Sequence, residues 1–363
     1  MTSSYLDFVR FCLDDNAAVP ASIVNIDWHD LLSWAKQQTI VGVCWHGMQR
    51  LSDIDTNKPT DDDVLEWMAY CTQITKKSRK TNNRSLWVYQ NFKKEGFRSC
   101  LLKGQGNSLR YPDPLLRHSG DIDIYVEGGD DKVIQYIHTI RPKAKAIYHH
   151  IDFMTTEKIP IEVHYRPSWM SCPWYNKRLQ RFFEETGKES FENMVTLPET
   201  EGQVAVPTWR MNVVYELAHI AHHFFREGIG LRQIIDYYYL LSSHGIPTEE
   251  EREQAEKDLR HVGMRKMGGA LMWVLTEVLG MDRRLMVIAS HERCGKLLLR
   301  EILAGGNFGM YDERMLGGST DSKRKKNVQT LWRDLRLVSY FPAECIWEPW
   351  FKCYHFLWRR KHH

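Results

Sequence analysis

The chain has 363 residues, with 49 Lys and Arg against 46 Asp and Glu for a formal charge of +3. A hydrophobic fraction of 43% with 26% charged residues is globular composition and excludes disorder, collagen or coiled coil as whole-chain readings. No apolar run reaches the roughly 18 residues of a spanning helix, and the start lacks a basic segment before an apolar one. The eight cysteines show no two-residue zinc or redox spacing. Reduced thiols and a cytoplasmic location are therefore expected.

In chain order, residues 1–95 read as a helical lobe. Asp27 is a plausible N-cap for Leu31, Leu32, Trp34 and Ala35, and Val41, Cys44, Trp45 and Met48 continue the spacing. Ser52 to Asp63 is a polar loop containing Pro59, and a long helix then runs from about Asp63 to Lys94, stopping at Gly96. Residues 96–207 change period: strands are expected at Phe97–Leu102, Asp121–Val126, Ile151–Met154 and Ile159–His164, with a helix over Asp130–Ile140. Residues 208–363 return to helices, at Met211–Arg226, Leu231–Ser243, Thr248–Val262, Arg265–Leu279 and Glu292–Leu303, with an exposed loop over Asp312–Asn327. The expected class is α+β, a small mixed sheet flanked by an N-terminal helical lobe and a C-terminal helical bundle.

The chemistry concentrates in Leu101-Leu102-Lys103-Gly104-Gln105-Gly106 and in Arg117-His118-Ser119-Gly120-Asp121-Ile122-Asp123-Ile124-Tyr125-Val126. On a strand, Asp121 and Asp123 share one face while Ile122 and Ile124 enter the core. Two such carboxylates, roughly 6–7 Å apart, can hold hard cations between them. Glu162, between Ile161 and Val163, supplies a third. A Lys-Gly turn running into a helix from about Gly106 directs backbone N–H groups at a polyphosphate, and Lys103 and Arg117 add positive charge on either side. Isolated Asp-x-Asp or Gly-x-Gly pairs are commonly just solvated; the ordered set is what points to a site.

These segments resemble the glycine turn and Asp-x-Asp strand of the nucleotidyltransferase superfamily that includes polymerase-beta-like and aminoglycoside nucleotidyltransferases. More narrowly, Leu102-Lys103-Gly104 with Arg117-x-x-x-Asp121-Ile122-Asp123 resembles an uncharacterised bacterial nucleotidyltransferase family. The resemblance extends to Ile161-Glu162-Val163-His164, the His-rich helix ending near Asp236 and Gly306-Asn307-Phe308-Gly309. The superfamily usually has Gly-Ser or Gly-Gly and a shorter gap, whereas here Gln105 follows Gly104 and Tyr111-Pro112-Asp113-Pro114 lengthens the gap. The resemblance implies that Asp121 and Asp123 bind two Mg²⁺ ions, with Glu162 completing the second metal site or acting as general base. It implies that Lys103, Gly104, Gly106, Ser108 and Arg117 bind an NTP, and that a nucleoside monophosphate moves to a hydroxyl acceptor, a small molecule before RNA or protein.

On the next long helix, His219, His222, His223 and Arg226 share a face. His164, His219, His222 and Arg226 are candidates for the acceptor side, although a hydrogen-bonded polar face explains the same pattern. A His/Asp phosphohydrolase, with a metal on His219, His222, His223 and Asp236, is one rival reading; a non-catalytic nucleotide- or partner-binding module is another. Arg232 is spaced to pair with Asp236 along the helix. From Lys323 to His363 there are ten Lys and Arg against three Asp and Glu, a local charge of +7. Lys323-Arg324-Lys325-Lys326 with Trp332, Trp347, Trp350 and Trp358 could grip RNA, but a solvated loop and aromatic packing account for them too.

Overall fold

The computed structural model describes residues 2–51, 57–153, 159–306 and 333–362. Met154, Asn307-Phe308-Gly309, the Asp312–Asn327 loop with its basic run, Trp332 and residues 52–56 of the polar loop lie outside the described residues.

Helices α1 (Thr2–Leu13), α2 (Trp28–Gln38) and α3 (Val41–Gln49) lead into the 34-residue α4 (Asp61–Lys94). Asp27 caps α2 by accepting the Asp30 N–H at 2.9 Å. The helical spacing does not run straight through to Met48: Thr39 adopts φ 56° and splits the segment into two helices. A capping box between Thr60 and Asp63 starts α4, and Gly96, at φ 78°, takes the left-handed turn that follows its end.

Four short strands form the central sheet: β1 (Ser99–Leu101), β2 (Ile122–Val126), β3 (His150–Asp152) and β4 (Ile161–His164). Their order is β1-β2-β4-β3, with β2 and β4 parallel and the outer pairings antiparallel. The helix between β2 and the next strand is α6 (Gly129–Ile140), preceded by the single-turn α5 (Gln105–Ser108). Every residue of β2 is buried, with α4 packed along it and β1 and β4 on either side. A second hairpin, β5 (Met194–Thr196) with β6 (Gln203–Ala205), follows α7 (Pro173–Ser190). The α+β class expected from the sequence is the one that forms.

Helices α8 (Trp209–Arg226), α9 (Leu231–His244), α10 (Glu249–His261), α11 (Arg265–Trp273) and α12 (Glu292–Gly305) make the following bundle, and α13 (Pro342–His362) closes the described chain. The helix expected over Arg265–Leu279 changes to π geometry at Val274–Val278. Helix α8 packs against α7, α9, α10 and α11 and is buried on nearly all sides, which its Val-, Leu-, Ile- and Phe-rich sequence permits. Helix α4 lies along β1, β2 and β6, so the last helix of the N-terminal lobe also roofs the sheet. Among the described residues no helix is long and apolar enough to cross a membrane. All eight cysteines are free.

Candidate functional site

The parallel register of β2 and β4 places Asp123 opposite Glu162 and Tyr125 opposite His164. Two backbone bonds hold β2 in that position: the Leu102 N–H donates to the Asp123 carbonyl, and the Ile122 N–H to that of Pro160. His164 Nε2 lies 2.9 Å from Asp123 Oδ1 and 3.4 Å from Glu162 Oε2. Lys103, from the turn after β1, brings Nζ within 3.2 Å of the same Asp123 oxygen. His150 on β3 adds a contact of 3.1 Å to Glu162.

The electrostatics are those of a buried, charge-balanced group. Burial pushes the Asp123 carboxyl up, but Lys103 and His164 outweigh it and hold it below its ordinary value. Glu162 behaves alike, with His164, His150 and Lys103 overcoming burial. Burial would lower His164, yet its bonds to Asp123 and Glu162 raise it to about 9, so it is an imidazolium at neutral pH. Lys103 is raised too: Asp123, Asp121 and Glu162 outweigh its burial.

Among the described residues, Asp123, Glu162 and His164 present ligand atoms within 4.8 Å of one another, and His150, Asp152 and Glu162 form an adjoining set. Asp123 Oδ2 is buried without a hydrogen-bond partner. An orphaned carboxylate oxygen beside a second carboxylate fits a hard divalent cation. Asp121 stands just ahead of β2, outside those sets, and lines the cleft with Asp123, Lys103, Gly104 and Asn107. That cleft encloses about 30 Å³.

The phosphate-side candidates are placed unequally. Gly104, at φ 66° and ψ −102°, turns the chain into the cleft wall. The helix after it is one turn long, so its dipole is smaller than the sequence suggested. Gly106 is buried, and a Cβ there would meet Val206 at 3.1 Å; Ser108 is buried and donates to the Gln105 carbonyl. Both serve the packing of the turn. The Arg117 guanidinium is engaged by Asp236 on α9, which also accepts from Tyr111. Ser78 on α4 bonds the Arg117 carbonyl and the Ser119 hydroxyl, and Arg232 donates to the His118 carbonyl. The segment carrying Asp121 is thus pinned from α4 and α9 together.

The histidine face of α8 divides. His219 faces the carboxylates, with Nε2 3.5 Å from Lys103 Nζ, and touches His223, which bonds Glu227. Burial and then the Lys103 charge hold His219 well below its ordinary value, so it is neutral. His222 and Arg226 line a different cavity. Because Asp236 is tied to Arg117, it is not gathered with His219, His222 and His223 into a metal-capable set. The geometry gives the phosphohydrolase reading no support.

Three residues were missed. Glu216 on α8 lines the carboxylate cleft beside Asn107 and is buried. Burial raises it to about 8, partly offset by Arg110. It sits one turn before His219 and two before His223, so extending the histidine stripe toward the helix start would have found it. His150 and Asp152 were missed because only the pairing of β3 with β4 brings them to Glu162.

Among solved structures, an antigenic nucleotidyltransferase-like protein from Paracoccidioides brasiliensis is similar at 11% identity and a TM-score of 0.35, over 60% of this chain and 95% of that one. No curated protein matches. The profile of the family described as uncharacterised nucleotidyltransferase matches residues 25–280. Since that span is well over half of the sequence and includes the turn, the Asp-x-Asp strand, Glu162 and the histidine helix, the chain belongs to the uncharacterised nucleotidyltransferase family.

Proposed function

We propose that this protein is a Mg²⁺-dependent nucleotidyltransferase of the polymerase-beta-like superfamily, moving a nucleoside monophosphate from an NTP to a hydroxyl of a small molecule. The observation that carries the reading is the Asp123–Glu162 pair across β2 and β4, with Asp123 Oδ2 buried and unpartnered. Asp123 and Glu162, joined by Asp121 from the same cleft, would hold the cation. When bound, a divalent cation supplies neutralising charge for a triphosphate and acidifies a hydroxyl.

The chain's own residues do the rest. Lys103 leaves Asp123 for the phosphates, so that its charge follows the charge of the substrate. His164 keeps Asp123 and Glu162 aligned through Nε2. Neutral His219, beside Lys103, is placed to accept a proton from an entering hydroxyl. The reaction itself is in-line attack of that hydroxyl on the α-phosphorus with release of pyrophosphate, and its acceleration comes mostly from positioning and charge. The cleft of about 30 Å³ has room for roughly two waters, so a nucleotide must displace Lys103 and side chains of α8 to enter.

The test is calorimetric titration of a non-hydrolysable nucleoside triphosphate with and without Mg²⁺, together with pyrophosphate release from natural NTPs. Binding should require Mg²⁺ and be lost in Asp123→Asn. Equal binding by that variant, or without Mg²⁺, overturns the reading. Metal-dependent binding with no turnover on any acceptor would instead favour a non-catalytic nucleotide-binding module.

A further inference from the structure

Helix α8 separates two cavities. Glu216, His219 and Ile220 look into the carboxylate cleft, whereas Ala218, Ala221 and Phe225 look into a second space of about 400 Å³. At about 100° per residue these two sets lie on opposite sides of the helix. The second cavity exists because α8 presents alanines there, between Trp169 on one side and Met264, Met267 and Phe341 on the other. These four walls are all buried. Its size and aromatic lining match a small-molecule site rather than a packing defect.

Charge completes the picture. Arg226, Arg260, Arg265 and Lys266 line the same cavity, against one carboxylate, Glu344, which is occupied by the Ser171 and Cys172 N–H groups. Arg260, Arg265 and Lys266 are exposed at the rim. Arg226 is fixed in place: Nη2 donates to Glu348 at 2.6 Å, and its guanidinium lies 3.9 Å from the centre of the Trp169 ring. Helix α11 also begins here. Its first internal bond runs from the Gly268 N–H to the Met264 carbonyl, so the N–H groups of Arg265, Lys266 and Met267 have no acceptor within the helix. An apolar interior with a cationic mouth and a helix start selects an amphipathic anion.

We propose that this cavity binds a small molecule with a flat apolar body of one or two rings and a single anionic group, carboxylate, sulfonate or phosphate. The rings lie among Trp169, Phe225 and Phe341; the anion lies at the start of α11 beside Lys266 and Arg226. The two methionines, unbranched and polarisable, adapt the wall to the ring system. This site is independent of nucleotidyl transfer, since α8 stands between it and the carboxylates.

The probe is anilinonaphthalene sulfonate, an aromatic anion whose fluorescence rises in an apolar site, titrated into the full-length protein. Binding should saturate at one molecule per chain and weaken with salt. Arg265→Glu with Lys266→Glu should weaken it about tenfold or more, and Ala221→Phe, which fills the space, should do the same. Trp350→Ala, in the neighbouring aromatic groove, should leave it unchanged. The uncharged analogue phenylnaphthylamine should bind at least about tenfold more weakly. Thermal melting of each variant checks that it is folded. Non-saturating binding, binding unchanged by both cavity variants, or equal affinity for the uncharged analogue would overturn the proposal.

Discussion

The Arg117 guanidinium closes on Asp236 fork to fork, Nε to Oδ1 at 2.7 Å and Nη2 to Oδ2 at 2.6 Å, both side chains buried. Asp236 is pulled below its ordinary value despite burial, because Arg117 and Tyr111 outweigh it. The motif arginine thus clamps the segment carrying Asp121 to α9. Asp236→Ala would leave a buried unpaired guanidinium and should cost about 3–5 kcal/mol in urea unfolding. Arg117→Lys keeps the charge but loses the two-bond geometry and should also destabilise. A cost under about 1 kcal/mol for Asp236→Ala, the level of a surface pair, would refute the clamp.

Glu216 predicts a pH dependence. Its carboxyl is raised by burial from 4.5 to about 8, so the native state holds a proton that the unfolded state releases. The stability this neutral form contributes is full below about 4.5 and is lost as pH rises toward about 8. Glu216→Gln should remove a decline on the order of 3–5 kcal/mol across that window. Denaturant midpoints measured at several pH values decide it; parallel curves for the two proteins would contradict the burial argument.

Divalent cation should stabilise the chain without any nucleotide. At a hundredfold excess over its dissociation constant Mg²⁺ would add about 2.7 kcal/mol, seen as a higher melting temperature and reversed by chelator. Glu162→Gln and Asp123→Asn should each abolish the shift. If both retain it, the cation binds elsewhere.

Two glycines of the motif should differ. Gly104 has φ 66°, and a Cβ added there would meet no atom nearer than 3.9 Å, so Gly104→Ala acts through the backbone and should cost about 1–3 kcal/mol. Gly120 has neither a positive φ nor a neighbour within 4 Å, and Gly120→Ala should fall within about 0.5 kcal/mol of the parent. Chemical unfolding of the pair tests the contrast.

Much of the architecture was legible locally. Capping residues and glycines marked α2, α4 and the break into the sheet, and alternation marked β2 and β4, because these signals act within a few residues of chain. Helix α7 and the β5–β6 hairpin were not anticipated, and neither was α13, which carries Pro349 inside it. The split at Thr39 was missed because a β-branched residue in left-handed geometry has no strong local signature.

The sequence by itself determined which residues stand out as candidates: the Lys103-Gly104 turn, Asp121, Asp123, Glu162 and the α8 histidines are all marked by order and spacing. Only the tertiary structure decided which of them meet. Strand register put Glu162 and His164 beside Asp123, α9 took Arg117 for a structural pair, and the rotation of α8 sent His219 to the carboxylates and His222 to another cavity. Spacing along a chain fixes which side chains share a face; which partner that face meets depends on packing between elements far apart in sequence.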